Sequence, residues 1–387
     1  MAEAFKLRLS DALLQRTATH LQRAWRGFDR DGFIAQASTG LDALEMKARA
    51  MQIAGALEAT LPADFDRAAG IIERALAPPW PDDRLDSDDP LRDGLEGWAL
   101  WPVGEFVARR GLAQPARALR VLHAITQRFS AEFAIRPFIV AHPQTVFATL
   151  QAWTADPSAH VRRLVSEGSR PRLPWGLQLK ALVVDPSPTL PLLAALQDDP
   201  SAYVRRSVAN HLNDIAKDHP ERVVRWVEAH LPGAPAPRRA LLRHACRTLV
   251  KAGHPGALQA WGLGRALRGE ARLRVSPRRL TLGAALTLTL VLRSDARQAQ
   301  RLVVDYALHH VKADGSTRPK VFKGWTLDLG AGEIRTLVRR HAVKPISTRR
   351  YHAGRHAIDV RVNGRVEAQA SFALLDPRTG RPGGAAG

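Results

Sequence analysis

The chain has 387 residues, 45% of them apolar, one cysteine (Cys246), and 57 Lys/Arg against 37 Asp/Glu, a formal net charge of +20. With a mean hydropathy of -0.20 this is the composition of a globular protein able to bury cores in two or three domains. A lone cysteine excludes an internal disulfide and a cysteine-built structural zinc site, no apolar run reaches bilayer-spanning length, and Met1 to Leu9 lacks the apolar stretch of a signal peptide, so the expectation is a cytoplasmic protein.

The charge is unevenly spread. Met1 to Pro200 carries 23 Lys/Arg and 24 Asp/Glu, whereas Ser201 to Gly387 carries 34 and 13. An arginine-rich genome would account for the excess of Arg over Lys but not for this asymmetry, and a basic half of this size suits a polyanion such as nucleic acid, whose condensed counterions it displaces.

In chain order, residues 12–76 read as helices, with Leu13, Leu14, Leu21 and Trp25, then Leu41, Leu44, Met51 and Ile53, at helical spacing. A Pro-rich acidic segment, Ala77-Pro78-Pro79-Trp80-Pro81-Asp82-Asp83 with Asp86, Asp88 and Asp89, breaks the pattern. Helices resume at Trp98 and run to about Trp261, with Pro143, Pro157, Pro186, Pro200, Pro220 and Pro255 near their starts. Inside this stretch Asp156-Pro157-Ser158-Ala159-His160-Val161-Arg162-Arg163 returns 43 residues later as Asp199-Pro200-Ser201-Ala202-Tyr203-Val204-Arg205-Arg206. That period is the mark of paired-helix HEAT or armadillo repeats, curved arrays that bind on their concave face. Asp156 and Asp199 read as turn and cap residues, Arg162 and Arg205 as their ladder partners, and Cys246 as a small buried residue of a helix from Leu241 to Val250.

After Gly262 the period changes from helical to alternating. Segments 272–275, 286–292, 302–308, 325–329, 335–338 and 357–362 alternate apolar with polar or basic residues, and Asp314-Gly315, Gly330-Ala331-Gly332 and Asn363-Gly364 mark turns, the last a type I′ hairpin. The predicted class is therefore α+β multidomain: an all-α HEAT-like repeat solenoid over 1–265, an all-β immunoglobulin-like sandwich over 270–376, and a disordered Gly/Arg-rich tail over 377–387.

Three carboxylates sit near helix ends in the repeat region: Glu132 ahead of Arg136-Pro137, Glu167 ahead of Arg170-Pro171, and Asp214 in Asn210-His211-Leu212-Asn213-Asp214. The repeat alignment places Glu167 and Asp214 about one turn apart on neighbouring units, so the three converge on one patch. Taken singly, such a residue is more often a solvated charge or a cap than a catalytic group, and Trp175 between Pro174 and Gly176 is more often packing than recognition. Arg136, Arg163, Arg170 and Arg206, with Asn210 and Lys217 beside Asp214, are candidates for DNA contact. So are the basic and ring-bearing segments 309–312, 318–323 and 349–352 of the sandwich, read as loops and including Lys320, Arg349 and Arg350. His211 and His219 lack the spacing of a metal pair, and no metal is expected.

Ser130-Ala131-Glu132-Phe133-Ala134-Ile135-Arg136-Pro137-Phe138, Ser166-Glu167-Gly168-Ser169-Arg170-Pro171-Arg172-Leu173-Pro174-Trp175-Gly176 and the run from Val204 to Pro220 resemble the AlkC branch of the AlkD-like DNA alkylation repair glycosylases, over nearly the whole chain. The resemblance implies a monomeric enzyme without cofactor that excises cationic alkylated bases, among them N3-methyladenine and N3-methylcytosine, from double-stranded DNA without flipping the base. It places Glu132, Glu167 and Asp214 on the family's catalytic carboxylates and Trp175 on its active-site aromatic. Two other readings stay open on the residues alone: a non-catalytic HEAT-repeat DNA-binding scaffold, and a protein adaptor.

Overall fold

The repeated Asp-Pro-Ser phrase turns the chain and then fastens it to the next repeat. In the computed structural model, which describes residues 5–81, 93–263, 265–345 and 350–375, Asp156 and Asp199 each accept the backbone N–H of the Ser two residues on, at 2.8 Å. The helices Ala159–Gly168 and Ala202–Asp218 start directly after these turns. Arg162 folds back to donate to Asp156 O and Pro157 O, both at 2.8 Å, and Arg205 does the same to Asp199 O and Pro200 O. Arg162 also closes on the Asp199 carboxylate with two bonds of 2.6 and 3.1 Å, while Asp156 takes His123 Nε2 from the preceding repeat at 2.7 Å. The two helices pack together, with Leu164, Val165, Val208 and Leu212 at most 1% exposed. Arg117 with Glu73 and Arg172 with Asp218 repeat the same cross-repeat closure elsewhere. No helix among the described residues is long and apolar enough to cross a membrane.

The strands form two sheets. β1 (Gly269–Ser276), β3 (Ala285–Ser294) and β6 (Ile334–Ala342) make a three-stranded antiparallel sheet in the order β1-β3-β6; β2 (Arg279–Leu280), β8 (Arg365–Leu374), β7 (Gly354–Val362), β4 (Gln300–Val311) and β5 (Thr317–Leu329) make a second, in the order β2-β8-β7-β4-β5. Every second residue of β3, Leu286 to Leu292, is at most 1% exposed, and these leucines share a core with Leu302, Val304, Ile358 and Val360. This is the immunoglobulin-like sandwich the alternation predicts. Asn363 (φ 50°) and Gly364 (φ 82°) make the β7–β8 turn in the left-handed geometry of a type I′ hairpin.

Two differences from the sequence reading stand out. Residues 309–311 and 318–323 are not loops: they lie in β4 and β5, which pair antiparallel with His309 opposite Pro319, and only Lys312 falls in the turn. Proline is tolerated there because β5 is the edge of its sheet, where one side of the strand needs no amide hydrogen. The predicted helix over 241–250 is broken at Cys246, which lies between Ala236–Ala245 and Arg247–Ala252, is fully buried, and has its thiol pushed up to about 11 by that burial. Residues 82–92, Arg349 and the tail from 376 lie outside the described residues.

The chain divides into two compact units that interleave along the sequence. Gly233–Ala245 groups with the helices up to His219, whereas Pro220–Pro232 and everything from Cys246 group with the strands. Within the second unit Gly253 (φ 77°) approaches the β7–β8 turn so closely that a Cβ there would lie 2.9 Å from Gly364 O. The change of period near residue 262 therefore marks where secondary structure changes, not where packing divides.

Asp199→Ala removes the carboxylate that pairs with an Arg162 guanidinium only 12% exposed, leaving it two backbone carbonyls. The expected loss is about 3 kcal/mol of unfolding free energy, since breaking a buried pair strands the surviving charge. Asp198→Ala, which breaks a pair with Arg238 at an aspartate 47% exposed, should cost under about 1 kcal/mol. Chemical denaturation of the two variants side by side checks the contrast.

Candidate active site

Helix Ala159–Gly168 places Arg163 and Glu167 one turn apart on one face, and the turn preceding Arg136–Ala141 brings Ser130 and Glu132 against them. Arg163 ion-pairs with Glu132 Oε2, donates to Ser130 Oγ at 3.0 Å and reaches Glu167 Oε1 at 3.6 Å. Arg170 donates to Glu167 Oε1 at 2.5 Å and to Asp214 Oδ2 at 2.8 Å, and Lys217 donates to Asp214 Oδ1 at 2.7 Å. Ser207 Oγ donates to Glu167 Oε2 at 2.6 Å, and Ser130 Oγ to Glu132 Oε2 at 2.9 Å. The result is one alternating row, Glu132, Arg163, Glu167, Arg170, Asp214, Lys217, with three negative and three positive charges. Of its six carboxylate oxygens, Glu132 Oε1 is the one that makes no hydrogen bond among the described residues.

Burial alone would raise the Glu167 carboxyl, but Arg163 and Arg170 outweigh it and hold it below the usual carboxylate range. Burial likewise disfavours charge on Arg163, and Glu132 and Glu167 reverse that, so its guanidinium is more firmly protonated than in water. Both therefore stay charged across the physiological range.

Glu132, Arg163, Glu167 and Arg170 form the polar side of a cavity of about 380 Å³ whose other walls are aromatic: Trp80, Trp98, Trp101, Phe133, Trp175 and Tyr203 among them. Four of the nine tryptophans are on this lining. Trp175, 61% exposed, lies parallel to Trp101 with ring centroids 6.4 Å apart. Its backbone is left-handed (φ 65°), a conformation that costs a bulky residue on the order of 1–3 kcal/mol and must be imposed by its surroundings. Lys47 Nζ donates to Trp175 O at 3.2 Å, Arg136 Nε to Leu177 O at 2.5 Å, and Arg136 also holds Gly168 O at 2.8 Å.

The structure brings Glu132, Glu167 and Trp175 onto one cavity. Asp214 stands apart from it, 1% exposed behind Arg170, because it lies on the far side of the guanidinium that links it to Glu167. Arg136 is corrected from a DNA contact to a buried support: it is 0% exposed, and its Nε and Nη1 donate to Leu177 O and Gly168 O on either side of the Trp175 loop. Arg163 and Arg170 are likewise committed to carboxylates, which takes them out of reach as ready phosphate ligands. Asn210 is half-buried and bonded to His244 Nε2 at 2.9 Å. Lys217 is 44% exposed, and Arg206, Lys320 and Arg350 are exposed. Sequence reasoning missed Trp101, Tyr203, Ser130 and Ser207. Tyr203 carried a signal, since it replaces His160 in the second copy of the repeated phrase.

Comparison with known proteins relates the chain to DNA alkylation repair enzymes. The family model "DNA alkylation repair enzyme" matches residues 128–249, and that of the C-terminal Ig-like domain of uncharacterised protein YhaZ matches residues 270–376. The uncharacterized protein YhaZ of Bacillus subtilis (strain 168) is 34% identical over 365 residues, 94% of this chain and 97% of its own length. The structure of Pseudomonas fluorescens alkylpurine DNA glycosylase AlkC, bound to DNA containing an abasic site analog, is 36% identical and superposes with a TM-score of 0.86, covering 97% of this chain and all of that one.

Directly behind Glu167, His211 Nδ1 donates to Ser166 O at 2.8 Å, fastening the two repeat helices together. The ring is fully buried, and burial pushes its pKa down to about 4. The unfolded chain takes up this proton near pH 6.5 and the folded chain only near 4, so stability is complete above pH 6.5 and falls as pH drops through that window, by up to about 1.4 kcal/mol per unit from this group. Denaturation midpoints of the unaltered chain and His211→Gln, followed from pH 7 to pH 4, should show a shallower decline for the variant by about one proton.

Proposed function

The chain belongs to the AlkC family of DNA alkylation repair proteins, and on that premise we propose that it is a DNA glycosylase that hydrolyses the N-glycosidic bond of cationic alkylated bases. The observation that carries this reading is the cavity itself, where Glu167, held anionic by Arg163 and Arg170, and Glu132, ion-paired with Arg163, face a set of indole and phenol rings. Alkylation of a ring nitrogen makes the base a cation and a good leaving group, so the enzyme needs no acid to protonate it. When the C1′–N bond breaks, the electron pair leaves with the base, which becomes neutral, and positive charge grows on the deoxyribose. Glu167 stabilises that charge electrostatically. Glu132, through its unbonded Oε1, accepts a proton from the water that adds to C1′. Trp175 offers an indole face to the cationic ring, worth about 0.5–2 kcal/mol.

Unmodified bases gain no cation–π attraction from the aromatic wall and leave as poor anions, which supplies selectivity without a pocket that extrudes the base. N3-methyladenine and N3-methylcytosine are the substrates proposed. In the resting protein Arg170 covers Asp214, so Asp214 takes part through Arg170 unless a phosphate draws that guanidinium away. The strand-bearing unit, with 22 Lys/Arg and 9 Asp/Glu from Gly269 onward, is proposed to grip the duplex. The alternative of a non-catalytic DNA-binding scaffold draws on one observation, that all three carboxylates already have cationic partners.

Incubation with methylated duplex DNA, without added metal or cofactor, should release N3-methyladenine or N3-methylcytosine. Folded protein that binds this DNA and releases neither supports the scaffold instead. In single-turnover assays Glu132→Gln and Glu167→Gln should each slow excision about 10²- to 10³-fold while DNA affinity changes by a few-fold at most. Trp175→Ala should slow it about 2- to 30-fold.

A further inference from the structure

The lining of the cavity carries six side-chain oxygens, and four of them are already engaged: Ser130 Oγ, Glu132 Oε2 and both oxygens of Glu167 are hydrogen-bonded within the charged row. The two that remain, Glu132 Oε1 and Tyr203 Oη, make no hydrogen bond among the described residues, and neither is sealed from solvent. One is an acceptor only, and the other is a hydroxyl that both accepts and donates.

The repeat brings Tyr203 to this place. The turn at Asp199-Pro200-Ser201 starts helix Ala202–Asp218 and sets position 203 in its first turn, as the earlier copy of the phrase sets His160. The two rings meet edge to face with centroids 6.0 Å apart, and His160 spends its Nε2 on Pro81 O at 3.1 Å. The Arg163 guanidinium lies 5.2 Å from the centroid of the Tyr203 ring while it pairs with Glu132 Oε2, so the phenol and the carboxylate are held on one guanidinium. Burial raises the phenol above its ordinary value; Arg163 opposes this and Glu132 and Glu167 add to it, so Tyr203 stays protonated at physiological pH. Tyr203 thus feels the charge of Glu132 without bonding to it, an arrangement that a bridging water joins.

We propose that Tyr203 is a further catalytic residue, whose hydroxyl holds, together with Glu132 Oε1, the water that adds to C1′. The water donates one hydrogen bond to Glu132 Oε1 and the other to Tyr203 Oη, which leaves its lone pairs turned toward the sugar. As the C1′–N bond breaks, one lone pair forms the new C–O bond and the proton passes to Glu132, while Tyr203 keeps its own proton throughout. A water held by one bond still rotates, whereas two bonds fix the direction of attack. The proposal rests on the reading of the chain as a glycosylase.

The test follows excision from duplex DNA carrying N3-methyladenine in single turnover with the full chain in excess. Tyr203→Phe keeps the ring against Arg163 and His160 and removes the oxygen alone. It should slow excision about 3- to 10-fold, the effect of one neutral hydrogen bond, with DNA affinity and denaturation midpoint unchanged. In a Glu132→Ala background the same change should slow excision less than about 2-fold, because the water has already lost its other anchor; in a Trp175→Ala background, where the lost contact is to the base, the full effect should persist. Excision by Tyr203→Phe at the unaltered rate, or equal slowing in all three backgrounds, overturns the role of Tyr203 and leaves the glycosylase reading in place. Absence of base release by the unaltered chain brings down both.

Discussion

A cation on one helical repeat closing on a carboxylate some forty residues away is the interaction on which the rest of the helical unit depends. Arg162 with Asp199, Arg170 with Asp214, Arg172 with Asp218 and Arg117 with Glu73 all have this form. Pairs of this kind add little net stability, because desolvation consumes most of the attraction. Their effect is on register. A guanidinium that must meet both oxygens of one carboxylate, as Arg162 does, fixes the rotation and rise of one helix against the next far more sharply than interchangeable leucines do. Once that register is set, Glu132 and Glu167 face each other across Arg163 without any local sequence motif having to arrange it.

The site reuses the same chemistry for a different end. The row from Glu132 to Lys217 is electrically neutral, so the protein carries no bare negative charge next to a polyanionic substrate. A neutral row still has local fields, and the cavity borders Glu132, Arg163, Glu167 and Arg170 but not Asp214 or Lys217. Arg136 contributes from below: by holding Leu177 O and Gly168 O it bends the Trp175 loop into a left-handed turn that a tryptophan would not choose. The two cavity carboxylates and the Trp175 loop are thus both held by arginines.

Much of this was legible in the sequence where it rested on spacing. The repeated phrase carries its Asx turn, its back-folded arginine and its cross-repeat pair in eight residues, and the alternation of β3 and the Asn363-Gly364 hairpin needed no tertiary information. Burial was what spacing could not supply. Arg136 and Arg206 look alike as letters, yet one is at 0% exposure and the other in solvent. The repeat alignment put Asp214 beside Glu167 correctly but could not place Arg170 between them. Pro319 argued for a loop because nothing local says that β5 is an edge strand. Trp101, 74 positions ahead of Trp175, entered the cavity through packing alone.

The interleaving of the two units has a practical side. Because Gly233–Ala245 belongs with the first unit while Pro220–Pro232 belongs with the second, the polypeptide passes from one to the other three times. No single scission yields two intact halves: trimming at residue 265 leaves three helices without their β-hairpin neighbour, and trimming at residue 219 robs the first unit of the helix that packs along Ala202–Asp218. A simple end-to-end fusion of two ready-made modules would not leave such a path, for the junction here is threaded rather than spliced.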